Sequence, residues 1–370
     1  MKINKIKISG FKSIADIELN DLTPYSVFAG ANGAGKSNFF DALNFISTVV
    51  TLGATQALRQ FNGYENVHCF KHRGNKKKIF SSEISVEYED FHFFYDLKIY
   101  NMDGQPTLEE KNWVDKNEYI WQRNKKGEIY PPFWGDGGYY SRLPNDISYL
   151  RMQPDSPVFR YINNIRVYRF DPLGAKEPDS SSADTTELNS HGHNIATMLS
   201  VLEKDDEIRE QIIEWMELLV PSLETISTER SRLDARTMIR FKEAGIKANF
   251  PAHLISDGTI YALCIMVAVL GRSKQAGMTL IEEPERGIHP KAIAELINLM
   301  RENANPNHAI FVTTHSESVV RYSKPEELWL VNKIDGKTEF KNAAKEFSDL
   351  GDLNLDKAWL MNMFDGGLPW

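Results

Sequence analysis

The sequence predicts an α/β protein built on a largely parallel sheet, with a β-rich insertion and a helical insertion. Two apolar runs, "YSVFAG" at 25–30 and "MTLIEE" at 278–283, each precede a helical pattern, and a third, "AIFVTTH" at 309–315, follows one. Apolar strands alternating with helices are the pattern of a parallel sheet covered on both faces. Between them the chain changes character: "SSEISVEYE", "HFFYDLKIY" and "EYIWQRN" are broken by turn signals at "MDGQP", "KKGE" and "GDGG". That stretch, about 81–150, reads as hairpins.

Taken in order, "KINKIKIS" and "ADIEL" alternate as strands, and "KSNFFDALNFISTVV" places Phe39, Leu43 and Phe45 near helical spacing. Residues 178–192 are polar and read as a connection; 193–220 is helical, with "IATMLSVL" and "IIEWMELLV" as apolar faces. Alternation returns in "TMIRFKEAGIKANF", followed by a helix from Ser256, a strand at "MTLIEE", a helix from about 290 and a strand at "AIFVTTH". The expected division is an N-terminal lobe (1–80), a β-rich insertion (81–177), a helical lid or arm (178–225) and a C-terminal lobe (226–370).

The 370 residues are 42% hydrophobic and 11% aromatic, enough for sizeable cores. A net charge of -8 gives no global basic field, so any nucleic-acid role has to come from local patches. Cys69 and Cys264 lie far apart and lack metal-ligand spacing, which suits a reducing compartment. The alternating "MKINKIKISGFKSI" is not a signal peptide, and no apolar stretch approaches a membrane span. A cytoplasmic protein without a membrane partner is expected.

Gly30, Gly33, Gly35, Lys36 and Ser37 fill the pattern G-x-x-x-x-G-K-[ST] between an apolar strand and a helix. Glycines let backbone N–H groups turn toward phosphate oxygens, and the helix N-terminus adds partial positive charge. Lys36 would bridge the β- and γ-phosphates of a nucleotide and Ser37 would hold Mg²⁺. "GMTLIEEPERGIHP" ends an apolar run in two carboxylates, at the sheet edge where parallel sheets bind ligands. Glu282 would orient the Mg²⁺ or its water and Glu283 would polarise an attacking water. Glutamate at 282 departs from the aspartate more usual in such hydrolases. His315, ending the next apolar run, would contact the γ-phosphate and the water. In "HLISDGTIYAL", Ser256 caps a helix and Gly258 permits close backbone approach; alone, this is simply a capped helix.

The cradle, a long insertion, "ISDG", "LIEEPE" and "TTH", in that order, resemble the ABC-type P-loop ATPases of the SMC head-like class, which includes RecF and OLD-like proteins. "RVYRFDP", "LNSHGHNIATML" and "EEPE…HP" look most like stand-alone AAA-family ATPases of bacterial phage defence. The resemblance implies ATP and Mg²⁺, with Lys12 and Ser13 of "FKSI" bordering the nucleotide and Asn32, Ala34 and Asn38 completing the cradle. It also implies a head-to-head dimer in which Ser256, Asp257 and Gly258 of one subunit close over the γ-phosphate of the other, and a separately encoded effector. A glutamine loop, expected in the class, is not evident; the neighbourhoods of Asp171 and Gln153 are the two candidates. A basic run, Lys71, Arg73, Lys76, Lys77 and Lys78, and a second cluster, Arg230, Arg232, Arg236, Arg240 and Lys242, could track a DNA backbone or be solvated turns. A RecF-like DNA-repair clamp and a transporter ATPase subunit are the competing readings. The serine-aspartate-glycine-threonine order departs from the usual transporter signature.

Overall fold

The computed structural model describes residues 1–72, 79–115, 118–130, 141–179, 187–346 and 354–361. Among these, three sheets form. The first is antiparallel, in spatial order Ile14–Asn20, Lys2–Phe11, Ile79–Tyr88, Phe91–Tyr100, Thr107–Val114, Glu118–Arg123, Glu128–Tyr130 and Ser141–Arg142. The second runs Ile165–Tyr168, Gly277–Glu282, His308–Thr314, Tyr25–Ala29, Leu328–Ile334 and Lys337–Asn342. Its first five strands are parallel and the last turns back antiparallel at the edge. The third joins Leu223–Arg230, Thr237–Glu243 and Phe250–Pro251.

Period-two alternation fixes both faces of the parallel sheet. Val27, Ile281, Ile310, Val312 and Leu330 point into one core, beside the helices Ile195–Leu202, Asp206–Leu219, Asp257–Leu270 and Pro290–Asn303. Phe28, Leu280, Phe311, Trp329 and Val331 point into the other, against helix Lys36–Leu52 and the antiparallel lobe. Strands buried on both faces read as continuous apolar runs, which is why "YSVFA" and "MTLI" could be recognised.

Two expectations about organisation need correction. The boundary at 80/81 falls inside strand Ile79–Tyr88, which pairs with Lys2–Phe11 in register Lys5↔Ser85, so the first strands and the β-rich segment form one sheet. In the segment expected as a helical lid or arm (178–225), Ile195, Leu199, Ile212 and Met216 are buried in the same core as helix Asp257–Leu270. Its helical stretch is also two helices, because Asp205 accepts hydrogen bonds from the amides of Glu207 and Ile208 and starts a new one.

Candidate functional site

Strand Tyr25–Ala29 is wholly buried and feeds the loop 30–35, after which helix Lys36–Leu52 begins. Two glycines are required here by observable geometry. A Cβ on Gly30 would stand 2.2 Å from the Val331 carbonyl oxygen, and Gly35 has φ +111° as the N-cap whose carbonyl accepts the first helical hydrogen bond, from Phe39. Beneath the loop, buried Ser13 accepts from the Asn38 side-chain amide (2.7 Å) and meets the Thr338 hydroxyl (2.6 Å), which donates to the Ala34 carbonyl (2.9 Å). Ser13 therefore supports the loop from behind.

A cavity of about 150 Å³ opens on the loop, lined by Asn32, Gly33, Gly35, Lys36, Ser37, Asn38, Glu283 and Thr313. The structure thus brings the cradle and the second acid to one place. The Lys36 ammonium is buried and donates to the carbonyls of Gly30 (2.7 Å) and Ala31 (3.0 Å). Burial pushes its pKa down, while Glu283, Glu285 and Glu282 pull it back up. A buried cation on neutral partners at a helix start is a ready anion site.

Glu282 ends its strand beside the cradle: Ser37 Oγ donates to its Oε2 at 3.2 Å. Its Oε1 receives Arg169 Nε (2.9 Å) and Nη2 (2.7 Å), and the same Nη2 reaches Asp41 Oδ1 at 2.6 Å. Lys12, at φ +47°, pairs with Asp41 Oδ2. Burial opposes the Arg169 charge, yet the bonds to Glu282 and Asp41 outweigh it and hold the guanidinium's pKa above its ordinary value. Sequence reasoning missed Arg169 and Asp41. Arg169 follows strand Ile165–Tyr168, whose register Tyr168↔Ile281 sets it next to Glu282, and Asp41 lies one helical turn after Ser37.

Neither glutamine-loop candidate reaches the cradle. Asp171 caps the short helix Pro172–Ala175 and meets His193 Nε2 at 3.0 Å; Gln153 donates to the Tyr149 hydroxyl. From the neighbourhood of Asp171 it is Arg169, two residues earlier, that reaches Glu282 and Asp41.

Glu283 follows the strand at φ +49° and its carboxylate meets His315 Nδ1 at 3.1 Å. Its amide donates to the Thr313 carbonyl (2.9 Å), and the Tyr261 hydroxyl donates to the carbonyls of Glu282 (2.8 Å) and Glu283 (3.1 Å). Glu285, also unnoticed in the sequence, is largely buried, accepts from Thr314 Oγ1 (2.5 Å), and has its pKa raised by that burial.

Ser256 caps helix Asp257–Leu270 by accepting from the Thr259 amide at 3.2 Å. Ser256 and Asp257 are exposed, Asp257 is paired with Lys176, and none of the residues 256–258 lines the cradle cavity. The close approach expected at Gly258 is internal: a Cβ there would stand 2.1 Å from the Gly287 carbonyl oxygen, in the loop after the acids.

Of the first basic run only Lys71 falls among the described residues, exposed in the turn Phe70–His72; Arg73, Lys76, Lys77 and Lys78 lie outside them. In the second cluster Arg240 pairs with Glu229, Lys242 with Glu224 and Arg236 with Asp234, so carboxylates beside them offset much of the positive charge. Among the described residues no helix is long and apolar enough to cross a membrane.

The chain is 19% identical over 356 residues, 86% of each protein, to an "ATP/GTP phosphatase" of Helicobacter pylori. Its fold matches that of an SMC head bound to the C-winged helix domain of ScpA, with TM-score 0.61, 16% identity and coverage of 94% of this chain and 100% of that one. It likewise matches a Pyrococcus furiosus Smc head with an extended coiled coil bound to the ScpA C-terminal domain, with TM-score 0.56, 14% identity and 98% of each chain. Residues 26–321 match the family described as "AAA domain, putative AbiEii toxin, Type IV TA system". The cradle-to-acid order, the SMC-head fold and that match converge: the chain belongs to the AAA/AbiEii-type family, has the SMC-head fold and is an ATP-hydrolysing P-loop enzyme.

Proposed function

We propose that the protein is a Mg²⁺-dependent ATPase whose two subunits, head to head, form two shared nucleotide sites, and that it acts as the switch of an anti-phage defence system by controlling a separate effector. Lys36, with the cradle amides of Asn32–Asn38, takes the β- and γ-phosphates. Ser37 and Glu282 offer hard oxygen donors side by side, the chemistry a Mg²⁺ site uses, and they fit that ion. Glu283, paired with His315, positions the attacking water. Lys12 borders the nucleotide.

The observation that carries the shared-site reading is the exposed start of helix Asp257–Leu270, its capped N-terminus contributing nothing to its own cradle cavity. A helix N-terminus favours anions. Facing a partner's γ-phosphate, Ser256, Asp257 and Gly258 would close the site, so that ATP favours the closed dimer and hydrolysis releases it. The AbiEii toxin-antitoxin description of the family supports the defence role.

The test is subunit mixing. Ser256→Arg blocks the signature and Lys36→Ala disables the cradle, so each homodimer should be inactive. In a mixed dimer one site keeps an intact cradle and an intact opposing signature. Partial recovery of ATPase activity on mixing is expected; no recovery, with subunit exchange verified by mass, sinks the shared site. Lys36→Ala should weaken nucleotide binding by roughly tenfold to a hundredfold, the worth of a charge-assisted hydrogen bond. For the defence role, phage plating on cells carrying the gene with its neighbours should lose protection when Lys36→Ala is introduced. Unchanged protection counts against it.

A further inference from the structure

Ser37 and Asp41 stand one turn apart on helix Lys36–Leu52, so they share a face. Glu282 faces Ser37 with one oxygen, and Arg169 bridges its other oxygen to Asp41. The carboxylate is thereby held in one orientation, with Oε2 toward Ser37 and Oε1 occupied. Arg169 also sets a fixed positive charge against the group assigned to the cation. We propose that Arg169 is a positioning residue that orients Glu282 for Mg²⁺ while making cation binding depend on nucleotide, with Asp41 as the counter-ion that holds Arg169 once the cation arrives.

The reasoning is electrostatic, and it rests on Glu282 and Ser37 being the cation's protein ligands. Around the nucleotide-free site the charges of Lys36, Lys12 and Arg169 offset most of those of Glu282, Glu283, Glu285 and Asp41, so a bare divalent ion gains less there than the carboxylates alone would give it. The phosphates of ATP tip that balance. Two roles then separate by chemistry: the charge of Arg169 suppresses binding of the bare cation, and its forked geometry orients the carboxylate. Lysine supplies the first without the second.

Mn²⁺ is the probe, followed by electron paramagnetic resonance on the full chain without nucleotide. Arg169→Gln should bind Mn²⁺ about tenfold more tightly than the unaltered protein. Arg169→Lys should bind it as weakly as the unaltered protein. In steady-state assays both variants should lose kcat by about tenfold or more with KM for ATP little changed. Circular dichroism establishes that both are folded. Unchanged Mn²⁺ affinity in Arg169→Gln, or an unchanged kcat in both, overturns the proposal. If Arg169→Gln fails to fold, Arg169→Lys and Asp41→Asn carry the test: loss of kcat in the first and altered Mn²⁺ affinity in the second support it, and the absence of either change overturns it. Glu282→Gln isolates the premise. Should it leave Mn²⁺ binding with ATP unchanged, the ligand assignment has failed, whatever Arg169 does.

Discussion

Glu283 carries backbone strain next to the reacting phosphate it is proposed to serve. A non-glycine residue at φ +49° costs on the order of 1–3 kcal/mol and persists only where its surroundings fix it. The Thr313 carbonyl holds its amide, and the buried Tyr261 hydroxyl holds its carbonyl and that of Glu282. The turn points the carboxylate at His315 and into the cradle cavity. Glu283→Gln keeps the turn and the side-chain shape but removes the charge that polarises water. ATP binding should persist while kcat drops by about 10² to 10⁴, the range of a positioned base. A single-turnover assay with radiolabelled ATP checks this, and near-normal hydrolysis would move the base to another group. The acid pair itself was readable because an apolar strand ending in two carboxylates is unusual. Arg169 was not, since it acts through a strand register that joins positions over a hundred apart in sequence.

Strand His308–Thr314 begins with a buried histidine that has nothing to do with nucleotide. His308 Nδ1 donates to the Gln275 carbonyl (2.7 Å), and in the neutral ring that burial favours, Nε2 accepts from the Thr279 hydroxyl (2.8 Å). Burial lowers its pKa from 6.5 to about 4, the carbonyl bond opposing and Arg272 adding to the shift. The unfolded chain thus takes up a proton near pH 6.5 that the folded chain refuses until about pH 4. Stability is complete above pH 6.5 and falls as pH drops through that window, by at most about 3 kcal/mol from this group. Urea midpoints measured from pH 7 to pH 4.5 should decline less steeply in His308→Gln. Parallel slopes in the two proteins would remove His308 as the cause. Elements of this kind divide by legibility. The central strands and the helices from Asp257 and Pro290 lie where their apolar runs and caps put them. Strands Leu328–Ile334 and Lys337–Asn342 carried no distinguishing motif and were missed, although the first flanks the cradle strand directly.

At the scale of the whole molecule the sequence conveyed the parallel core but not the partition, because a sheet's membership depends on pairing across long separations. Lys2–Phe11 reads as the start of the first lobe, yet its partner is Ile79–Tyr88. The helical segment reads as a lid or arm, yet its apolar faces complete the main core. The proposed division of labour belongs to this scale too: with Glu282 and Glu283 committed to ATP, the pure protein should hydrolyse ATP and leave nucleic acids uncut. Incubation with ATP, Mn²⁺ and a panel of DNA and RNA decides it. Cleavage that survives Lys36→Ala but is lost on changing carboxylates elsewhere would reveal a second active centre. The placement of Tyr25–Ala29 has one more consequence. It sits between His308–Thr314 and Leu328–Ile334, with Tyr25 opposite Ile310 and Val27 opposite Leu328. On the ribosome, where chains grow at roughly 5–20 residues per second, the cradle strand therefore waits on the order of tens of seconds for both neighbours. Until they emerge, the nascent cradle has no sheet to fix its loop, so chains that end before Leu328–Ile334 are expected not to bind nucleotide.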